Sequence, residues 1–207
     1  GNPSFFVYQT VAKIMGGRPI NVKLKNNVHD LNAMLKEVGR KTKLVFVCNP
    51  NNPTGTIVTK AELDSFVSKL PDHTILVLDE AYFEFASDED YPDGLEYIKE
   101  GHNVICFRTF SKIYGIAGLR IGYALGCQEF ISAMNRVREP FPVSRVAQAG
   151  ALAALEDEGY RESVLKNNEE GKAYLYHEFE SMGLPYAPSQ TNFIFVDLKA
   201  DSQKIFQ

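Results

Sequence analysis

The chain has no tryptophan, and among its 207 residues only three cysteines and four histidines. The odd number of cysteines, with no C-x-x-C, argues against a disulfide framework or a zinc ribbon. Cys48 and Cys106 sit in apolar runs, LVFVCNP and NVICFRTF. Buried, reduced thiols and a cytoplasmic location are therefore expected. His29, His73, His102 and His177 show no metal-ligand spacing, so no metal is expected. An excess of positive charge is also missing: 22 Lys and Arg stand against 26 Asp and Glu, for a net charge of −4. The basic run KLKNN is short and dilute and reads as a solvated loop. Neither nucleic acid nor an anionic membrane is an expected partner. No apolar run approaches the roughly 18 residues of a membrane span. Neither G-x-G-x-x-G nor a Walker pattern follows any strand-like run, so a nucleotide-binding α/β domain ranks last among the readings.

What is present is a globular composition, with 44% hydrophobic residues, enough for a core that needs no staples. Short apolar runs alternate with helical patterns. KLVFVC, TILVLD, NVICFRTF and LRIGYALG read as strands, and TILVLD is apolar enough for the middle of a parallel sheet. RPINVKL and QTNFIFVDL read as further strands. Helices are expected over 5–15, stopped by Gly16-Gly17, and over 31–38, 60–70, 128–138, 144–156 and 158–182. Thr59 and Glu62 have capping-box spacing. The fold class is therefore α/β, with a mostly parallel central sheet flanked by helices. The division expected is a large domain over 1–155, then a connecting helix and the start of a smaller α/β domain over 156–207. The chain opens almost directly into a helix and stops just after a strand, at KIFQ, which reads as a fragment.

Ligands of open α/β sheets bind beyond the carboxyl ends of the strands. After LVFVC comes NPNNPTG, a rigidly punctuated turn in which Asn52 can present an amide. After TILVL come Asp79, Glu80, Ala81 and Tyr82. Asp79 ends an apolar strand, so its carboxylate needs an N–H or cationic partner; alone, it reads first as a helix cap or a salt bridge. After NVICF come Arg108, Thr109, Phe110, Ser111 and Lys112; Thr109 and Ser111, two apart, lie on one side of an extended chain, and two glycines and Arg120 follow. Two hydroxyls and a guanidinium suit a phosphate. A lysine amine turns nucleophilic toward aldehydes when its surroundings favour the neutral form. Phosphate, aldehyde, phenolic oxygen and ring nitrogen occur together in pyridoxal 5′-phosphate, whose sites use a Schiff-base lysine and an acidic or Arg partner for the pyridinium.

In that order and spacing, NPNNPTG, DEAY and TFSKIYGIAGLR resemble the fold-type I pyridoxal-phosphate aminotransferases. REPFPVSRVAQAGALAAL and QTNFIFVD are most similar to the histidinol-phosphate aminotransferases. The resemblance runs from Pro3 to Asp197 and implies these roles. Lys112 is the catalytic lysine that carries the cofactor. Asp79 pairs with the pyridinium nitrogen. Tyr82 and Asn52 hydrogen-bond the phenolic oxygen. Thr109, Ser111 and Arg120 hold the phosphate. Phe5 takes the place of the ring that stacks on the pyridine, where Tyr or Trp is common in the family, and Tyr8 is a weaker neighbour candidate. The implied reaction is transfer of an amino group from L-histidinol phosphate to 2-oxoglutarate in histidine biosynthesis, with ping-pong kinetics and a homodimer whose sites lie at the interface. A further Gly-rich phosphate loop, a partner-subunit tyrosine and a carboxylate-binding arginine should lie outside residues 1–207, so this chain alone is expected to lack useful turnover. Arg136, Arg138 and Arg145 are not assigned to the last role. Two readings stay open beside this one: an aromatic amino-acid aminotransferase of the same subgroup, and a non-catalytic aminotransferase-like sensor domain.

Overall fold

The computed structural model describes residues 1–206. Helix α1 (Val7–Ile14) ends where Gly16 turns left-handed, at φ 74°, a conformation that glycine adopts without a Cβ clash. Helix α2 (Leu31–Glu37) is capped by Asp30, whose side chain accepts from the Ala33 N–H. Strand β1 (Leu44–Cys48) follows. Helix α3 (Lys60–Val67) opens on the capping box expected from Thr59 and Glu62, with both reciprocal bonds formed. Next come β2 (Ile75–Asp79), α4 (Gly94–Lys99), β3 (Val104–Thr109) and β4 (Gly122–Gly126). Three helices follow: α5 (Gln128–Val137), α6 (Arg145–Glu156) and the long α7 (Glu158–Ser181). The chain then forms β5 (Tyr186–Ala187), β6 (Phe195–Val196) and α8 (Ser202–Ile205).

The main sheet has the order β1-β2-β3-β4, parallel through β3 and antiparallel at β4. This is the mostly parallel sheet with flanking helices that the alternation of runs implied. Strands β5 and β6 pair with each other in a separate two-stranded sheet. One face of the main sheet carries Val45, Val47, Leu76, Leu78, Val104 and Cys106, packed under Leu31, Met34, Leu63, Phe66 and Tyr97 from α2, α3 and α4. A second apolar cluster lies beyond the strand ends, where Tyr82, Phe85, Phe110, Ile113 and Tyr114 meet Ala151 of α6.

Two expected strands change form. RPINVKL is no strand: Lys23 makes only an isolated bridge to Asn2. Its alternation is real, but a strand needs a neighbouring ladder. In QTNFIFVDL only Phe195–Val196 is regular. The Ser189 and Thr191 hydroxyls both bond the Phe193 carbonyl, and such local bonds compete with a ladder.

One buried ion cluster holds the sheet to α4. Arg108 Nε donates to Glu80 Oε2 at 2.8 Å and its Nη2 to Asp93 Oδ1 at 2.6 Å, while the Gly94 N–H donates to Glu80 Oε1. Glu80 is fully buried. Burial pushes its carboxyl up to about 7, against the pull of Arg108 and the Gly94 N–H. Replacing Arg108 by Ala strands that carboxyl without its cation, and a loss of about 3–5 kcal/mol is expected in urea unfolding. Without Arg108 the folded-state pKa of Glu80 rises further, while the unfolded value stays near 4.5. Folded protein then binds more protons than unfolded, so the penalty should grow as pH is raised from about 5 to about 8. A penalty that shrinks over that range would show that Glu80 is not the group left unpaired.

Candidate active site

Successive side chains of a strand point to opposite faces. Since Leu76, Leu78 and Cys106 face the helix-covered core, Asp79 of β2 lies on the other face, level with Cys48 of β1 and Phe107 of β3. Thr109, two residues beyond Phe107, shares that face. Asp79 and Glu80 are chain neighbours with different fates. Glu80 is consumed by Arg108. The Asp79 Oδ1 accepts from the Ala81 N–H at 3.1 Å, and its Oδ2 accepts from the Tyr8 hydroxyl at 2.5 Å. Burial pushes the Asp79 carboxyl up, opposed by the Tyr8 O–H, the Ala81 N–H and the nearby Lys112 ammonium.

Lys112 is half-buried, with Nζ 5.1 Å from the centre of the Tyr82 ring, within cation–π reach. Tyr82 is itself buried. Its hydroxyl accepts from Asn52 Nδ2 at 3.0 Å, and Phe193 meets its ring edge-on at 5.1 Å. The structure therefore brings together four of the expected residues, Asn52, Asp79, Tyr82 and Lys112, at the carboxyl ends of β1, β2 and β3.

The NPNNPTG turn is held by its other two asparagines. Both are fully buried, and both have their amides satisfied, as burial requires. Asn49 Oδ1 accepts from the Val58 N–H, and its Nδ2 donates to the Val58 carbonyl. Asn51 Nδ2 donates to Thr54 Oγ1 and to the Pro3 carbonyl, while its Oδ1 accepts from the Ser4 hydroxyl. Asn51 thus ties the turn to the segment that leads into α1.

The expected phosphate group is only partly assembled. The Ser111 N–H donates to Thr109 Oγ1 at 3.1 Å, so these two residues form one turn. Arg120 is exposed, and its Nη1 donates to the Ala117 carbonyl at 2.6 Å. Among the described residues no hydrogen bond joins Arg120 to Thr109 or Ser111. Phe5 is exposed and meets Phe6 and Tyr8 edge-on. Tyr8 is more central than its sequence position suggests, because it bonds Asp79 directly. The spacing of Phe5 and Tyr8 within a short helical pattern gave no sign of which ring would reach the sheet.

An amine, a carboxylate, a phenol and an amide converging in one crevice can bind a polar ring and move protons beside it. Among the described residues, no group of three or more His, Cys, Asp or Glu is placed to hold a metal ion. No helix there is long and apolar enough to cross a membrane.

The model of the family "Aminotransferase class I and II" matches residues 1–207. The histidinol-phosphate aminotransferase of Moorella thermoacetica is 52% identical over 207 residues, which is 100% of this chain and 54% of that protein. That of Caldicellulosiruptor saccharolyticus is 46% identical over 205 residues, 99% of this chain and 57% of that one. Among solved structures, the histidinol-phosphate aminotransferase from Sinorhizobium meliloti in complex with pyridoxal-5′-phosphate superposes with a TM-score of 0.90 at 36% identity. The match covers 97% of this chain and 55% of that one. The chain thus spans about half the length of the curated relatives it matches. It belongs to the aminotransferase class I and II family.

Proposed function

We propose that this chain forms the cofactor-binding part of a pyridoxal-phosphate aminotransferase that moves the amino group of L-histidinol phosphate to 2-oxoglutarate. The observation that carries the reading is the convergence of Lys112, Asp79, Tyr82 and Asn52 in a chain about half identical to enzymes of that name. The donor set fits the cofactor. Asp79 is an acid held apart from the Arg108 cluster. Asn52 and Tyr82 already share a hydrogen bond suited to a phenolate oxygen. Thr109 and Ser111 offer hydroxyls at the end of the same strand face. Arg120 uses one N–H on Ala117 and has others for an anion. Its left-handed backbone, φ 52°, is one that glycine would adopt at less cost, so the position supports a functional side chain.

When bound, the cofactor supplies an electron sink for the carbanion at the substrate Cα. The chain's own residues do the rest. Asp79, as a carboxylate, would hold a proton on the ring nitrogen. The amine of Lys112 would attach the cofactor and, when free, would hold and move the proton at the substrate Cα. Tyr82 and Asn52 would hold the phenolic oxygen, and Phe5 would be the aromatic side chain offered to the ring. The same reading includes a soluble cytoplasmic homodimer. The separate β5–β6 sheet beyond α7 supports a large domain over 1–155 and a smaller one beginning at 156.

Three outcomes are expected. Borohydride reduction of the chain with pyridoxal phosphate should leave one phosphopyridoxyl adduct, mapped by mass spectrometry to Lys112 and absent in Lys112→Ala. Labelling spread over surface lysines would count against a preformed site. In the full-length protein carrying this chain, Lys112→Ala should lower kcat by about 10²-fold or more. That protein should turn over histidinol phosphate with a higher kcat/KM than phenylalanine or tyrosine; the reverse order would favour the aromatic aminotransferase reading.

A further inference from the structure

Asp79 sits where a buried carboxylate is hard to keep ionised. Three titratable groups face it from the elements around it: Tyr8 from α1, Cys48 from β1 and Lys112 from beyond β3. Burial pushes the Cys48 thiol up to about 12, and Cys48 donates to the Pro50 carbonyl at 3.3 Å. It is thus a neutral neighbour. Lys112 acts on Asp79 through its charge, and the proposed reaction commits that amine to other work. Among the described residues, Tyr8 alone donates a side-chain hydrogen bond to Asp79.

The Tyr8 ring is fixed as well as its hydroxyl. It stacks on Phe46, with centres 4.9 Å apart and planes 16° from parallel. Phe46 belongs to the same sheet face as Asp79, since Phe46 pairs with Val77 and Cys48 with Asp79. The ring thus lies on β1 while the hydroxyl reaches the end of β2. The segment leading into α1 is pinned by the Pro3–Asn51 and Ser4–Asn51 bonds, so the NPNNPTG turn also sets where α1 begins.

We propose that Tyr8 is a positioning residue of the active site, whose O–H anchors Asp79 Oδ2 while the Ala81 N–H anchors Oδ1, fixing the carboxylate's orientation and keeping it anionic. The inference rests on the reading of Asp79 as the acid that serves the cofactor's ring nitrogen. It adds a residue outside the expected cofactor contacts and gives the short α1 a task. Phenylalanine at position 8 would keep the stack on Phe46 and lose only the anchor.

The test is a ¹³C NMR titration of the Asp79 carboxyl in the chain without cofactor. Losing a donor to the charged form raises a carboxyl pKa. Tyr8→Phe should therefore move the midpoint up by about one pKa unit or more. A 3-fluorotyrosine at position 8, a stronger donor with almost the same shape, should move it down even if Tyr8→Phe does not fold. A midpoint indifferent to both changes overturns the inference. Added pyridoxal phosphate separates this from the functional reading. If wild type forms no Lys112 adduct, the cofactor reading fails while the NMR midpoints still judge Tyr8. If the adduct forms, Tyr8→Phe should shift the pH at which its visible absorption changes. An unshifted profile would remove the positioning role and leave the cofactor reading standing.

Discussion

The alternation of side chains at the end of β2 is the constraint on which the rest depends. Asp79 and Glu80 are adjacent acids on one strand end, and period-two geometry sends them to opposite faces. On the helix-covered face, Glu80 meets Arg108, which is brought there by the same alternation on β3. On the other face, Asp79 meets, among the described residues, the uncharged donors Tyr8 and Ala81 and the more distant ammonium of Lys112. The fold thus commits Glu80 to structure and leaves Asp79 for the role proposed for it. A register slip of one residue would exchange them, and the site would lose its acid to a salt bridge.

Around that pair the site is assembled from segments far apart in the chain. The NPNNPTG turn supplies Asn52 and is braced by Asn49 and Asn51. The segment before α1 is tied to Asn51 and brings Tyr8 to the sheet. From the other end, Gln190 Oε1 accepts from the Ser87 N–H at 2.7 Å, and the Gln190 N–H donates to the Gly55 carbonyl. Lys172 of α7 holds the same loop by donating to the Ser189 carbonyl at 2.9 Å. The loop after α7 therefore touches both the asparagine turn and the segment following Tyr82. Phe193, packed against Tyr82, is its contribution to the crevice wall.

Much of this was legible in the sequence because it follows from local rules. The strands LVFVC, ILVLD and VICFRT announce themselves by apolar runs between turn residues, and Thr59 and Glu62 announce the start of α3. The rule that ligands gather beyond strand ends pointed to the segments that carry Asn52, Asp79, Tyr82 and Lys112; the resemblance to the aminotransferases selected those residues. The remainder depended on long-range packing. RPINVKL has a strand's pattern without a neighbour, and QTNFIFVDL lost its regular start to Ser and Thr hydroxyl bonds. The reach of Tyr8 to Asp79 spans 71 positions, and no local pattern encodes it. Arg120 was readable as a candidate anion ligand, but its present bond to Ala117 was not, since that depends on the left-handed backbone at Arg120 itself.

The central claim is that Asp79, not Glu80, is the acid of the cofactor site, with Lys112 beside it. A crystal structure of the protein grown with pyridoxal phosphate tests it most directly. The account predicts density joined to Lys112 Nζ, with the ring nitrogen in hydrogen-bond contact with Asp79 and the Arg108–Glu80 pair intact. Cofactor bound at another lysine, or with its ring nitrogen turned away from Asp79, would contradict it.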